Sequence, residues 1–144
     1  MTDVSRSAGV QLLELPTVPG PKGSLTFVEG ERHLPFLVKR TYFLYDVPPG
    51  EQRGGLAHRA VDLCLIAVSG SMEVRLDDGA DPVQHVLDRP SLGLLVPRLV
   101  WLEIACCDPA TVCLVLASEF YDEADYVRDH EEFLQLVGSA RAPS

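Results

Sequence analysis

The feature that most constrains this chain is a succession of short apolar segments broken at close, regular intervals by Gly, Pro and Asp. They read as strands at Leu63–Val68, Met72–Leu76, Val83–Leu87, Leu92–Val96, Trp101–Ile104 and Thr111–Ala117. Met72–Leu76 alternates apolar and charged residues and stops at Asp77-Asp78-Gly79, a strong turn signal. Many short strands with regular turns argue for an all-β sandwich or barrel. Upstream, Leu25–Glu29 reads as a strand, and Phe36–Asp46, rich in β-branched and aromatic residues, as a long one ended by Pro48-Pro49-Gly50. Residues 1–20, with Pro16, Pro19 and Gly20 around an apolar run from Val10 to Leu15, read as a flexible start with a possible edge strand. Only Tyr121–Val137 has helical spacing with acids at its start, and 138–144 is expected to be a disordered tail. The main domain therefore runs from 21 to 137.

A chain of 144 residues is long enough for one core without staples. Its net charge of -9 argues against nucleic acid or an anionic membrane as partner. No apolar run approaches the ~20 residues of a membrane span, and no basic region followed by an apolar core marks a secretory signal. Cys64, Cys106, Cys107 and Cys113 fit no zinc spacing and read as reduced thiols of a cytoplasmic protein.

The rest is organised around Arg53–Asp62, a polar lip before the buried strand that starts at Leu63. The lip carries His58, whose direction the strand would fix. Laid on the two metal-binding motifs of cupin jelly rolls, the chain offers His58 and Asp62 but has leucine at 56 and 102, where histidines stand. One His and one Asp are too few for a first-row metal, so no catalytic metal and no cofactor are expected.

Over nearly its whole length the chain resembles the small cupin TDP-4-keto-6-deoxyglucose 3,4-ketoisomerases (WxcM-like sugar ketoisomerases). The resemblance runs through Lys22–Leu25, Pro35–Asp46, Arg53–His58, Leu65–Ser71, Leu76–Gly79 and Val100-Trp101. It ends in Leu116-Ala-Ser-Glu-Phe-Tyr-Asp-Glu-Ala-Asp-Tyr-Val-Arg128, its most specific segment. The resemblance implies a metal-free cupin jelly-roll barrel with a short C-terminal helix, forming a homodimer that exchanges N-terminal strands.

The chain departs from the family at its centre. Arg-Gly-x-His-Ala-His becomes Arg53-Gly54-Gly55-Leu56-Ala57-His58, and two further polar positions are Leu63 and Leu102. Moving a ketone from C4 to C3 needs a positioned base and acid, each contributing ~10²–10⁴-fold. The candidate catalytic residues are His58, Tyr42 and Arg53. The candidate substrate-binding residues are Arg40, Leu56, Leu63, Leu102, Trp101 and Asp62, the last as a partner orienting His58. Asp122–Asp125 is expected to cap the helix and stay solvated, and His33, His85 and His130 to have no partners.

Three leucines favour an apolar ligand. The leading expectation is a scaffold recruited to isomerise or cyclise an apolar, polyketide-type intermediate of natural-product biosynthesis. The alternatives are a TDP-4-keto-6-deoxyhexose 3,4-ketoisomerase working through His58, and a non-catalytic binding or partner-stabilising homologue.

Overall fold

The computed structural model describes residues 9–141, with side chains to 138. In chain order the elements are β1 (Gln11–Glu14), β2 (Thr17–Gly20), β3 (Gly23–Thr26), β4 (Arg40–Leu44), β5 (Gln52–His58) and β6 (Leu63–Ser69). Then come β7 (Met72–Asp77), β8 (Val83–Leu87), β9 (Leu92–Val96), β10 (Trp101–Cys106) and β11 (Val112–Ala117). A 3₁₀ turn at Glu123–Asp125, β12 (Tyr126–Val127) and the helix α1 (His130–Arg141) end the chain.

Two five-stranded antiparallel sheets, β1-β9-β6-β11-β4 and β12-β5-β10-β7-β8, make up a cupin jelly roll. Strand alternation builds the core between them. Leu63, Leu65 and Ala67 of β6, Val74 and Leu76 of β7, and Leu102 and Ile104 of β10 all point inward and are buried. The opposite face of β6 is buried too. Cys64 and Ile66 pack beneath Leu15, Leu34 and Phe36, which is why this strand reads as a continuous apolar run. On the far side of the other sheet α1 covers a third cluster, Ala57, Trp101, Val127, Phe133 and Val137.

Three expected elements differ. The strand expected from Phe36 begins only at Arg40, because Leu34 and Phe36 turn in to cap the second cluster. Pairing starts where Lys39 N–H donates to the Ala117 carbonyl at 2.9 Å. The lip from Arg53 is not a loop: it is most of β5. The helix expected from Tyr121 starts nine residues later, at His130. Asp122 caps the 3₁₀ turn, and Tyr126 and Val127 pair with His58 and Ala57 of β5, so the seemingly helical spacing there belongs to a strand. At its other end α1 continues past Gly138 to Arg141. A glycine inside a helix costs only about 1 kcal/mol, and no proline follows until 143. Residues 1–8 of the expected flexible start and 142–144 of the expected tail lie outside the described residues.

All four cysteines are unpaired. Burial pushes the thiols of Cys64 and Cys113 up to about 12, so they are inert packing groups.

Candidate active site

The site is aimed by two glycines. Gly54 and Gly55 have φ of +89° and +71°, and there the pairing of β5 with β10 shifts register between Leu102 and Glu103. A side chain at 54 would place its Cβ 2.7 Å from the Leu102 carbonyl oxygen. Only glycine allows this close approach. The bulge bends β5 and sets Leu56 toward the cavity between the sheets, with Ala57 turned out beneath α1. The alternation then sends His58 inward with Leu56.

His58 is 4% exposed and Asp125, from the 3₁₀ turn, 8%. The imidazole Nδ1 lies 2.5 Å from Asp125 Oδ2, and Asp125 Oδ1 accepts the Ala60 N–H at 2.6 Å. The backbone holds the pair as well, with Arg59 N–H donating to the Asp125 carbonyl and Leu99 N–H to that of His58. A carboxylate at Nδ1 fixes that nitrogen as the donor and leaves the lone pair on Nε2. Nε2 is buried and has no partner. Burial, the largest influence, holds the imidazole below its ordinary pKa against the opposing pull of Asp125. At neutral pH His58 is therefore a neutral base with a free nitrogen.

Around it stands a wall of aromatic and cationic groups. The Tyr126 ring is 4.7 Å from the imidazole. Arg40 Nη1 donates to Tyr126 Oη at 3.5 Å, while Nε and Nη2 are buried without partners. The guanidinium lies over the rings of Tyr42 and Tyr121, at 5.2 and 5.7 Å. Burial, and next the neighbouring Tyr126, pushes the Tyr42 phenol up to about 12, which makes it a hydrogen-bond donor and not a base.

The cavity itself holds about 210 Å³. Tyr42, Tyr126, Arg53 and Arg128 supply its polar lining, and Leu56, Leu63, Leu102, Ile104 and Val115 most of the rest. A wider hollow of about 540 Å³ lies on the outer face of the first sheet and takes none of these groups. Size does not identify the site here; convergence of polar groups on an apolar cavity does.

Most of the expected residues meet at this cavity: Tyr42, Arg53, Leu56, Leu63 and Leu102 line it, and His58 and Arg40 flank it. Two do not. Trp101 is displaced by the alternation of β10, which turns Leu102 and Ile104 inward. The indole faces outward, packs on His130 and Phe133, and donates to Glu103 at 3.0 Å. Asp62 does not touch His58; it pairs with Arg98, accepting from both its backbone and guanidinium.

The partner of His58 is Asp125, which the sequence reading left solvated. His33 and His130 also have partners, a backbone N–H of Glu29 and the Asp77 carboxylate, both structural. Burial lowers the pKa of His85, whose Nε2 is buried and unpaired. Tyr126 and Arg128 likewise went unnoticed as lining residues. Their one signal was the Asp-Tyr-Val-Arg segment of the family resemblance. Among the described residues no three His, Cys, Asp or Glu side chains cluster as metal ligands.

Comparison with known proteins identifies the family. The family model described as FdtA, WxcM-like, C-terminal, matches residues 8–138. A TDP-4-oxo-6-deoxy-α-D-glucose-3,4-oxoisomerase of Aneurinibacillus thermoaerophilus is 38% identical over 116 residues, 81% of this chain and 84% of that one. The crystal structure of a 3,4-ketoisomerase from Helicobacter canadensis superposes with a TM-score of 0.87 at 36% identity, covering 90% of this chain and 97% of that one. The sugar 3,4-ketoisomerase QdtA of Thermoanaerobacterium thermosaccharolyticum, solved in complex with TDP, gives a TM-score of 0.89 at 33% identity, covering 92% and 96%. These relatives are isomerases, and the chain belongs to their family, the WxcM-like sugar 3,4-ketoisomerases.

Proposed function

We propose that this protein is a 3,4-ketoisomerase acting on a TDP-linked 4-keto-6-deoxyhexose in deoxysugar biosynthesis, with His58 as its base. The observation that carries the reading is the buried His58–Asp125 pair with Nε2 free on the inward face. The expectation of a polyketide-type substrate gives way here: the relatives at 33–38% identity are named for a TDP-sugar isomerisation or were solved with TDP, and nothing among them points to a cyclase.

The residues divide the reaction as follows. His58 Nε2 takes the proton from C3, and the bonding pair becomes the C3=C4 double bond. The C4 carbonyl oxygen receives a proton from the Tyr126 hydroxyl, giving an enediol, while the Arg40 guanidinium beside that oxygen steadies the charge left behind. In the second half the C3 hydroxyl returns a proton to Tyr126 as the C3 carbonyl forms, and the imidazolium delivers its proton to C4. The enzyme ends as it began. Tyr42 donates a hydrogen bond from the same wall, and Arg53 and Arg128, both exposed, stand at the mouth for the diphosphate.

The same reading takes the protein as a homodimer in the cytoplasm. In support, the β2–β3 hairpin leaves Val18 and Leu25 each 57% exposed, and the 540 Å³ hollow beside it is walled by Ile66, Val68, Leu114 and Leu116. A second copy would cover such a face.

The test joins binding to turnover. Thymidine diphosphate should raise the melting temperature in a saturable way, and NMR should show a TDP-4-keto-6-deoxy sugar converted to its 3-keto isomer. No thermal shift at millimolar nucleotide would overturn the reading. Light scattering should give twice the chain mass; a monomer at micromolar concentration would remove the dimer.

A further inference from the structure

We infer that the site selects a nucleotide-linked 4-keto sugar that lacks the C2 hydroxyl, a 2,6-dideoxy hexose in preference to a 6-deoxy hexose. The inference rests on the ketoisomerase reading and specifies its substrate. The ring positions can be assigned one by one. C3 and C4 exchange protons, so they must face His58 Nε2 and the Tyr126 hydroxyl. C1 carries the diphosphate, which belongs with the guanidinium groups of Arg53 and Arg128 at the mouth. C5 carries a methyl group that is already apolar. C2 is the one ring carbon whose substituent is left to the remaining lining.

That lining, apart from Tyr42 beside Arg40 and Gly54 at the bulge, is Leu44, Leu56, Leu63, Leu102, Ile104 and Val115. None of these side chains has a hydrogen-bond donor or acceptor. For most of them the backbone offers no substitute, because it lies within paired ladders: Leu102 opposite Leu76, Ile104 opposite Val74, Leu63 opposite Val96, and Val115 opposite Leu65 and Tyr42; only the Gly54–Gly55 bulge beside Leu56 interrupts them. A C2 hydroxyl placed against these apolar side chains gives up its water and finds nothing in return. A methylene in its place keeps van der Waals contact with the leucines. One unmatched hydroxyl lowers affinity by roughly 5- to 150-fold.

The experiment is a calorimetric titration of the wild-type protein with three ligands: TDP, TDP-4-keto-6-deoxyglucose and its 2-deoxy counterpart, TDP-4-keto-2,6-dideoxyglucose. The dideoxy sugar should bind at least about fivefold more tightly than the 6-deoxy sugar. Leu56→Gln, at a half-buried position that offers the hydroxyl a partner, should narrow that ratio through tighter binding of the 6-deoxy sugar. If TDP binds but the two sugars bind equally, or the 6-deoxy sugar binds more tightly, the inference is overturned and the ketoisomerase reading stands. If TDP itself does not bind, the ketoisomerase reading falls and this inference with it.

Discussion

One wall of the cavity comes from ladder residues, Leu56, Leu63, Leu102, Ile104 and Val115, whose positions follow from strand alternation alone. The polar groups beside it, Arg40, Tyr42, His58 and Tyr126, come from three different parts of the chain on the same two sheets, and His58 among them is held by Asp125, a residue of a short turn. The apolar wall stabilises the fold whether or not a ligand is present. The polar wall leaves a guanidinium and an imidazole with buried, unpartnered nitrogens, an arrangement that favours folding only when something else fills it. Stability and chemistry therefore sit side by side in one space. Substitutions should separate them: changes on the polar wall should reach activity first, and changes that disturb the ladder should reach stability first.

The largest effect expected is that of His58→Ala. Removing the base should lower kcat by about 10²–10⁴-fold, with TDP binding retained because the diphosphate is held elsewhere. Loss of TDP binding together with activity would mean that the two walls are not separable. Next comes Asp125→Asn, which keeps the shape and removes the charge that fixes the imidazole tautomer. Such supporting partners are typically worth 10–100-fold. The fall should appear in kcat and leave KM nearly unchanged; an unaltered kcat would reduce Asp125 to a structural residue. On the other side of the comparison, Gly54→Ala puts a side chain at φ +89° and within 2.7 Å of the Leu102 carbonyl oxygen. A left-handed conformation alone costs about 1–2 kcal/mol, or roughly 3–7 °C in melting temperature for a domain of this size. A smaller loss would show that the bulge relaxes without moving Leu56 and His58.

The two walls were unequally legible in the sequence. The apolar one was visible, because period-2 runs bounded by turns carry their own geometry, and the family pattern marked leucines 56, 63 and 102 as pocket positions. His58 and Arg40 were legible through the same pattern. Asp125 was not: Asp122–Asp125 followed by Tyr126, Val127, His130 and Phe133 satisfies a helical period, and an acidic first turn is what a helix prefers. Only the pairing of Tyr126 with His58, a contact across 68 residues, turns that segment into a strand and carries the carboxylate inward. Trp101 faces away from the cavity for a related reason. Its neighbour Leu102 lines the cavity, and alternation requires the two to face opposite ways.

The smallest effect concerns pH, and it sharpens the comparison because only the polar wall titrates in the relevant range. Burial lowers the His58 pKa in the folded protein, so between that value and the unfolded value, about 6.5, the unfolded chain binds more protons. Stability then rises with pH across this window and is lost as pH falls through it. His85 shifts in the same direction by burial, so the measurement is a difference: melting temperature against pH for wild type and for His58→Asn. Wild type should fall more steeply below pH 6.5. The rate should follow the same group, with kcat/KM flat through neutral pH and declining with unit slope only on the acid side of 6.5. A decline that begins above pH 7 would mean that the Asp125 carboxylate outweighs burial. His58 would then be protonated at rest and unable to take the C3 proton.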